Sequence, residues 1–198
     1  MVDISVLQRL VWTDYRLAVL FTVLMPLILL VWAFVKHQEV IQQLLVIYWK
    51  VASLLAITLY LMIAGLAVSF VSAFMACFLI PLSLWFWADL NEEIREQPPS
   101  ALKLALSSWR WAVTFYSGLG VLLQIPFLRC GFSRQALAEA SCQVWLEAPR
   151  LFKSYFHADQ TPGFLGFFGV LGLVIYMLYL GYFVFFRVGR QGRSALNQ

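Results

Sequence analysis

Along this chain, charged and apolar positions separate into long blocks rather than alternating. From Val51 to Ala88 run 38 residues without a charged side chain. A helix of that length would extend about 57 Å, against a bilayer hydrocarbon core of about 30 Å. One straight helix would leave nearly half the run in water, so the pattern predicts two spans folded into a hairpin. The turn falls among Ala64, Gly65, Leu66, Ala67, Val68 and Ser69, where small residues let backbones approach. It contains no polar cluster and is therefore expected at the membrane interface or under other protein.

Charges set the remaining boundaries. A first span, 17–35, is bracketed by Arg16 and Lys36; another, 111–128, by Arg110 and Arg129; and the last, 163–186, stops at Arg187. With hairpin spans 43–64 and 69–88, the reading is an all-α, polytopic transmembrane helix bundle of five spans in a single membrane domain, 1–198. Four spans are the alternative if the central run is one long helix. Pro26, Pro81 and Pro126 lie within or near the ends of spans and are expected to kink them. Lys50, near Gln42 and Gln43, lies a turn or two inside the second span, where its stem can snorkel to the headgroups. It is the one ionisable residue expected to be even marginally embedded. Met1 to Arg16 is short and of mixed charge, with no small-x-small cleavage site before Lys36, so the first span is expected to be a permanent anchor.

Composition agrees: 62% of residues are hydrophobic and 12% charged, against about 25% charged in an average soluble domain. Trp12 and Tyr15, Tyr48 and Trp49, Trp85 and Trp87, and Trp109 and Trp111 fall near span ends, where amphipathic rings favour the interface. Filling helix contacts is the alternative for any one pair. Lys and Arg divide eight against six between the two sides, whether five or four spans are counted. That bias places the C-terminal tail RVGRQGRSALNQ and the loop from Asp89 to Arg110 in the cytoplasm or its plastid equivalent.

The loop 129–162 then faces the more oxidising side. It carries Cys130 and Cys142, while Cys77 is buried in a span. A disulfide between the pair would close a short loop and contribute on the order of 3 kcal/mol; two unpaired thiols are the alternative. The stretch QALAEASCQVWLEAPRLFKSYFH in this loop reads as an amphipathic surface segment interrupted by Pro149. Leu137, Val144, Leu146, Leu151, Phe152 and Phe156 are expected in the headgroup layer, with Arg150 and Lys153 meeting lipid phosphates or a protein partner.

Candidate chemistry is sparse. Asp89, Glu92, Glu93 and Glu96 are spaced i, i+3, i+4 and i+7, so a continuing helix would put four carboxylates on one face, as a hard cation requires. The same string is an ordinary solvated helix end, with Arg95, Lys103 and Arg110 nearby to pair with it. Neither His37 nor His157 has a Cys or carboxylate at metal-ligand spacing, and interface roles are expected for both. There is no Gly-rich phosphate loop, GxSxG or HExxH. No catalytic residue is assigned. Packing features are clearer: Gly65, Ser69 and Ala73 form a small-xxx-small series, and Gly163, Gly166, Gly169 and Gly172 recur every third residue in the last span. Such stripes admit a helix of this chain, a partner helix, or a flat pigment or lipid.

The strings LVWTDYRLAVLFTVLMPLILLVWAFV, PLSLWFWADLNEEI, SWRWA, PFLRCGF and FHADQTPGFLGFFG, with the RQGRSA ending, resemble a family of integral membrane proteins of unknown function from cyanobacteria and plastids. The resemblance covers nearly the whole chain. It implies a thylakoid or plasma membrane of a photosynthetic cell, with loop 129–162 lumenal or periplasmic, and brings no catalytic residues.

Three expectations follow for function. The first is a non-enzymatic scaffold, accessory subunit or assembly factor, bound to membrane lipids and other membrane subunits and to no nucleic acid. Its basic residues Arg187, Arg190 and Arg193 would contact lipid or a partner. The second is an oligomeric carrier or channel for a small solute or cation, with Asp89, Glu92 and Glu93 at its mouth and Tyr60, Tyr116, Gln124 or Tyr176 along the path. The third is a lipid-modifying enzyme, with Glu139, Glu147, His157 and Asp159 as the only acid/base set available.

Overall fold

The computed structural model describes residues 3–188, with side chains through Phe186. Among the described residues five helices are long and apolar enough to cross a membrane, and the protein is an integral membrane protein. They are α1 (Ile4–Val35), α2 (Glu39–Ile63), α3 (Val68–Trp85), α5 (Ala101–Phe132) and α7 (Pro162–Phe186). Two shorter helices, α4 (Ala88–Glu96) and α6 (Glu147–Phe156), lie in the connections. The central charge-free run is a hairpin, as its length demanded.

Both hairpin turns close by the same backbone device. After α2, Gly65 adopts φ +65°, its N–H bonds the Met62 carbonyl at 3.0 Å, and the Leu66 N–H reaches the Leu61 carbonyl at 3.1 Å. After α1, His37 adopts φ 52°, with N–H bonds from His37 to Phe34 and from Gln38 to Ala33. This is the Schellman cap, which satisfies helix-end carbonyls without any polar side chain. An apolar turn can therefore end a span. Gly65 belongs to this turn and not to a packing stripe, which corrects the series proposed with Ser69 and Ala73.

Helices α1 and α5 each run 32 residues, about 48 Å, well beyond the predicted spans 17–35 and 111–128. The extra turns of α1 precede Leu17 and carry an apolar stripe with Val11 buried, so the helix begins near Ile4. Residues Val19–Leu24 of α1 form a wider π turn, in which the Met25 N–H goes to the Leu20 carbonyl. Pro26 has no N–H to offer Thr22. The Phe21 and Thr22 carbonyls thereby lose their usual α-helical partners, and neighbouring helices supply replacements. Trp109 Nε1 donates to the Phe21 carbonyl at 2.8 Å and the Tyr48 hydroxyl to the Thr22 carbonyl at 2.7 Å. Tyr48, Trp87 and Trp109 are buried in the core, so for these three the helix-contact reading replaces the interfacial one.

Tyr48 and Trp109 join a large core of α1, α2, α3, α4 and α5 that includes Leu29, Ile41, Leu84 and Leu106. At the other end, Met62, Phe70 and Leu146 gather around Cys130 and Cys142, which are joined as a disulfide. Val144 and Leu146 are thus buried in the protein rather than laid in headgroups. Pro149 sits in the first turn of α6, where a missing N–H is harmless, and does not interrupt it.

Candidate functional site

Between these two cores, α1, α2, α3 and α5 touch at a few points but do not fill the space they surround. A cavity of about 530 Å³ separates them. Each of the four helices puts small residues on its wall: Ala18 from α1, Ala52 and Ala56 from α2, Ala73 and Cys77 from α3, Ser117 and Gly120 from α5. Lining residues on α2 run from Trp49 to Met62, a length of about 20 Å, so the space is long along the bundle axis.

The polar groups on its walls are few and differ in how well they are satisfied. Asp14 of α1 meets the Tyr116 hydroxyl, which donates to its carboxylate at 2.8 Å. Thr58 and Ser72 share a hydrogen bond at 2.6 Å between α2 and α3. Gln124 Nε2 donates to the Cys77 thiol at 3.3 Å, but its Oε1 is buried without a protein partner. Trp49 Nε1 and Trp145 Nε1 are likewise buried and unpartnered. Trp145 closes the loop-side end, its ring tilted against Phe127 at 5.3 Å and Tyr15 at 6.5 Å, with the Tyr15 hydroxyl on its carbonyl at 2.6 Å. The disulfide holds this roof from behind.

Asp14 corrects the expectation that Lys50 alone would be embedded. It precedes the apolar run, and its partner lies 102 residues away. Arg110 is a second correction: read as a span boundary, it is 6% exposed, with Nη2 bonded to the Leu84 carbonyl and Asn91 and the guanidinium 4.1 Å over the Trp85 ring. It locks α5 to the end of α3 through Leu84 and to α4 through Asn91. Lys103 also turns elsewhere, capping the carbonyls of Arg95 and Gln97.

Glu92, Glu93 and Glu96 are exposed on α4, Glu92 lies 3.7 Å from Arg95, and the Asp89 carboxylate accepts the Leu90 N–H. Among the described residues no three His, Cys, Asp or Glu are placed to hold a metal ion. The acid/base set is scattered. Glu139 pairs with Arg129 at 2.8 Å, Glu147 accepts from Gln8 and Trp12, and His157 Nε2 lies 3.3 Å from the Tyr60 hydroxyl.

Of the glycine stripe, Gly166, Gly169 and Gly172 meet α2. A Cβ at Gly166 would stand 2.5 Å from that of Ala64, and at Gly169 3.0 Å from the Leu61 nitrogen, so neither position has room for a methyl. Gly163 touches nothing within 4 Å of such a Cβ. Tyr116 and Gln124 of the proposed path reach the cavity, whereas Tyr176 lies in a separate groove beside Lys50. Arg150 bonds Gln143 and lies over the Gly65 turn, and Lys153 bonds the Ala158 carbonyl. Arg190 and Arg193 fall outside the described residues, and only the backbone of Arg187 is described.

What the sequence missed was the cavity. Its one advance signal was mid-span polarity at Tyr116 and Gln124, which pointed to the right helix without indicating a cavity. No curated protein and no solved structure matches this chain. Residues 8–196 match the family model described as protein of unknown function (DUF3177), and the chain belongs to that family.

Proposed function

We propose that this is a non-enzymatic integral membrane accessory protein, a scaffold or assembly subunit of a larger membrane complex, that holds one apolar molecule in its central cavity. The observation that carries the reading is the cavity itself. Its volume of about 530 Å³ lies inside the range of small-molecule sites, about 300–1,000 Å³, and an apolar wall with a few placed polar groups is their usual make-up. A pigment or lipid is the corresponding cofactor class. The membrane is that of a photosynthetic cell, thylakoid or plasma, with loop 129–162 lumenal or periplasmic and the tail cytoplasmic. The Cys130–Cys142 disulfide favours an oxidising side for that loop.

Purification from native membrane directly into lipid nanodiscs, followed by mass spectrometry and an absorption spectrum, tests both halves. A stoichiometric lipophile and co-purifying membrane subunits are expected. A solitary, empty protein overturns the proposal.

A carrier of a small solute or cation is the second reading, favoured by the Asp14 carboxylate beside the cavity. Proteoliposome flux that survives Asp14→Asn unchanged would remove it.

A further inference from the structure

The cavity walls specify more than a generally greasy occupant. At the loop-side end, Trp145 Nε1 and Gln124 Oε1 are both buried and have no hydrogen-bond partner in the protein. Both line the cavity, as does Phe127, whose ring lies 5.3 Å from that of Trp145. One is a donor, the other an acceptor. Leaving either group dry disfavours the folded state, because a buried polar atom without a partner loses the hydrogen bond that water would give.

A hydroxyl suits both kinds of group, since its oxygen accepts from an indole N–H and its proton is donated to an amide oxygen. Carboxylates and phosphates are excluded on charge. No Lys or Arg lines this cavity, while Asp14 does, so an anionic head would be desolvated without a counter-charge and beside a carboxyl group. An ammonium head would leave Gln124 served and Trp145 still unpaired. Beyond the head, the apolar slot continues about 20 Å along α2 to Trp49. Trp49 and Ser53 also line the groove between α2 and α7, making them the partition through which a chain could pass sideways from the bilayer.

Resting on the lipophile-holding reading above, we propose that the ligand is a neutral, elongated lipophile with a hydroxyl head, seated between Trp145 and Gln124 with its chain directed toward Trp49.

Four probes of equal chain length separate the head groups: hexadecanol, hexadecane, hexadecanoic acid and hexadecylamine, each offered to the full-length protein in nanodiscs and counted by native mass spectrometry. Hexadecanol is expected to bind about tenfold more tightly than hexadecane, the ratio given by about 1.4 kcal/mol of hydrogen bonding. Gln124→Leu and Trp145→Phe should each erase that ratio while leaving hexadecane binding in place. Cys77→Ala, which removes only the thiol partner of Gln124, should preserve it. Equal binding of alcohol and alkane, or a preference for acid or amine, overturns the hydroxyl assignment. The parent reading fails differently: if no probe binds wild type more than Ala56→Phe, whose ring fills the slot, the cavity is not a ligand site at all.

Discussion

Helix α2 presents small neighbours on two faces and the outcomes are opposite. Toward α7, glycines meet α2 and its end in register, Gly166 against Ala64, Gly169 against Leu61 and Gly172 against Ile57, and the helices close to contact. Toward α1, α3 and α5, its own Ala52 and Ala56 face Ala18, Ala73 and Gly120, and a cavity is left. Small residues alone decide neither outcome: two helices meeting as a pair can close even on Gly166 against Ala64, the tightest of these contacts. Small against small on four helices at once leaves space, because backbones held elsewhere cannot all converge on one axis.

The closed face should break hardest. Gly166→Val puts branched carbon where a single Cβ already stands 2.5 Å from Ala64, so α7 must shift away or the variant must fail to assemble. A loss of about 3 kcal/mol is expected for overpacking without relief. Thermal unfolding in mild detergent reads it. The same substitution at Gly163, which has open space, should change the midpoint little and so localises the effect to the interface.

The roof of the open region comes next. Replacing Cys130 and Cys142 with Ser removes a bridge across 12 residues, with an expected loss of about 3 kcal/mol or slightly less. Faster hydrogen exchange at Trp145 and Leu146 is expected with it, because their cluster is built against the bridge. Unchanged exchange would mean the roof stands on Tyr15 and Phe127 alone.

Filling the open region has the opposite sign. Ala56→Phe is expected to leave the midpoint unchanged or raise stability by about 1 kcal/mol, as cavity-filling changes do when no wall must move. A large loss at both Ala56 and Gly166 would erase the distinction between the two faces of α2.

The difference between these faces also explains what could be read in advance. Span number was legible because charge-free length is a one-dimensional property, and Gly169 was legible as a contact because its spacing repeats along one helix. Asp14 was hidden by its position before the apolar run, and Arg110 by its resemblance to a boundary charge. Hydropathy reports where a helix meets lipid, whereas the partners of these two lie on other helices: Tyr116 for Asp14, Leu84 and Asn91 for Arg110. The cavity has no linear signature. Its lining comes from several helices and the loop above them, and alanine carries the same letter whether it faces a void or a neighbour.

The smallest effect tests why the open region does not collapse. The π turn and Pro26 strip two α1 carbonyls of their own-helix donors, and Tyr48 and Trp109 take them up, fixing α1 at a set distance from α2 and α5. Hydrogen bonds between helices in a membrane contribute on average about 0.6 kcal/mol and at most about 1.7. Tyr48→Phe keeps the ring against Trp109 at 5.1 Å and deletes only the hydroxyl, so a loss of about 1 kcal/mol is expected. Pro26→Ala restores an N–H that can serve the Thr22 carbonyl, which makes the hydroxyl redundant. In a double-mutant cycle the cost of Tyr48→Phe should therefore fall in the Pro26→Ala background, and the occupancy of the cavity should fall with it as α1 straightens toward α2. Additive effects would separate the proline from the tyrosine and leave the spacing to the packing of Leu29 and Ala33 against Ile41 and Leu106.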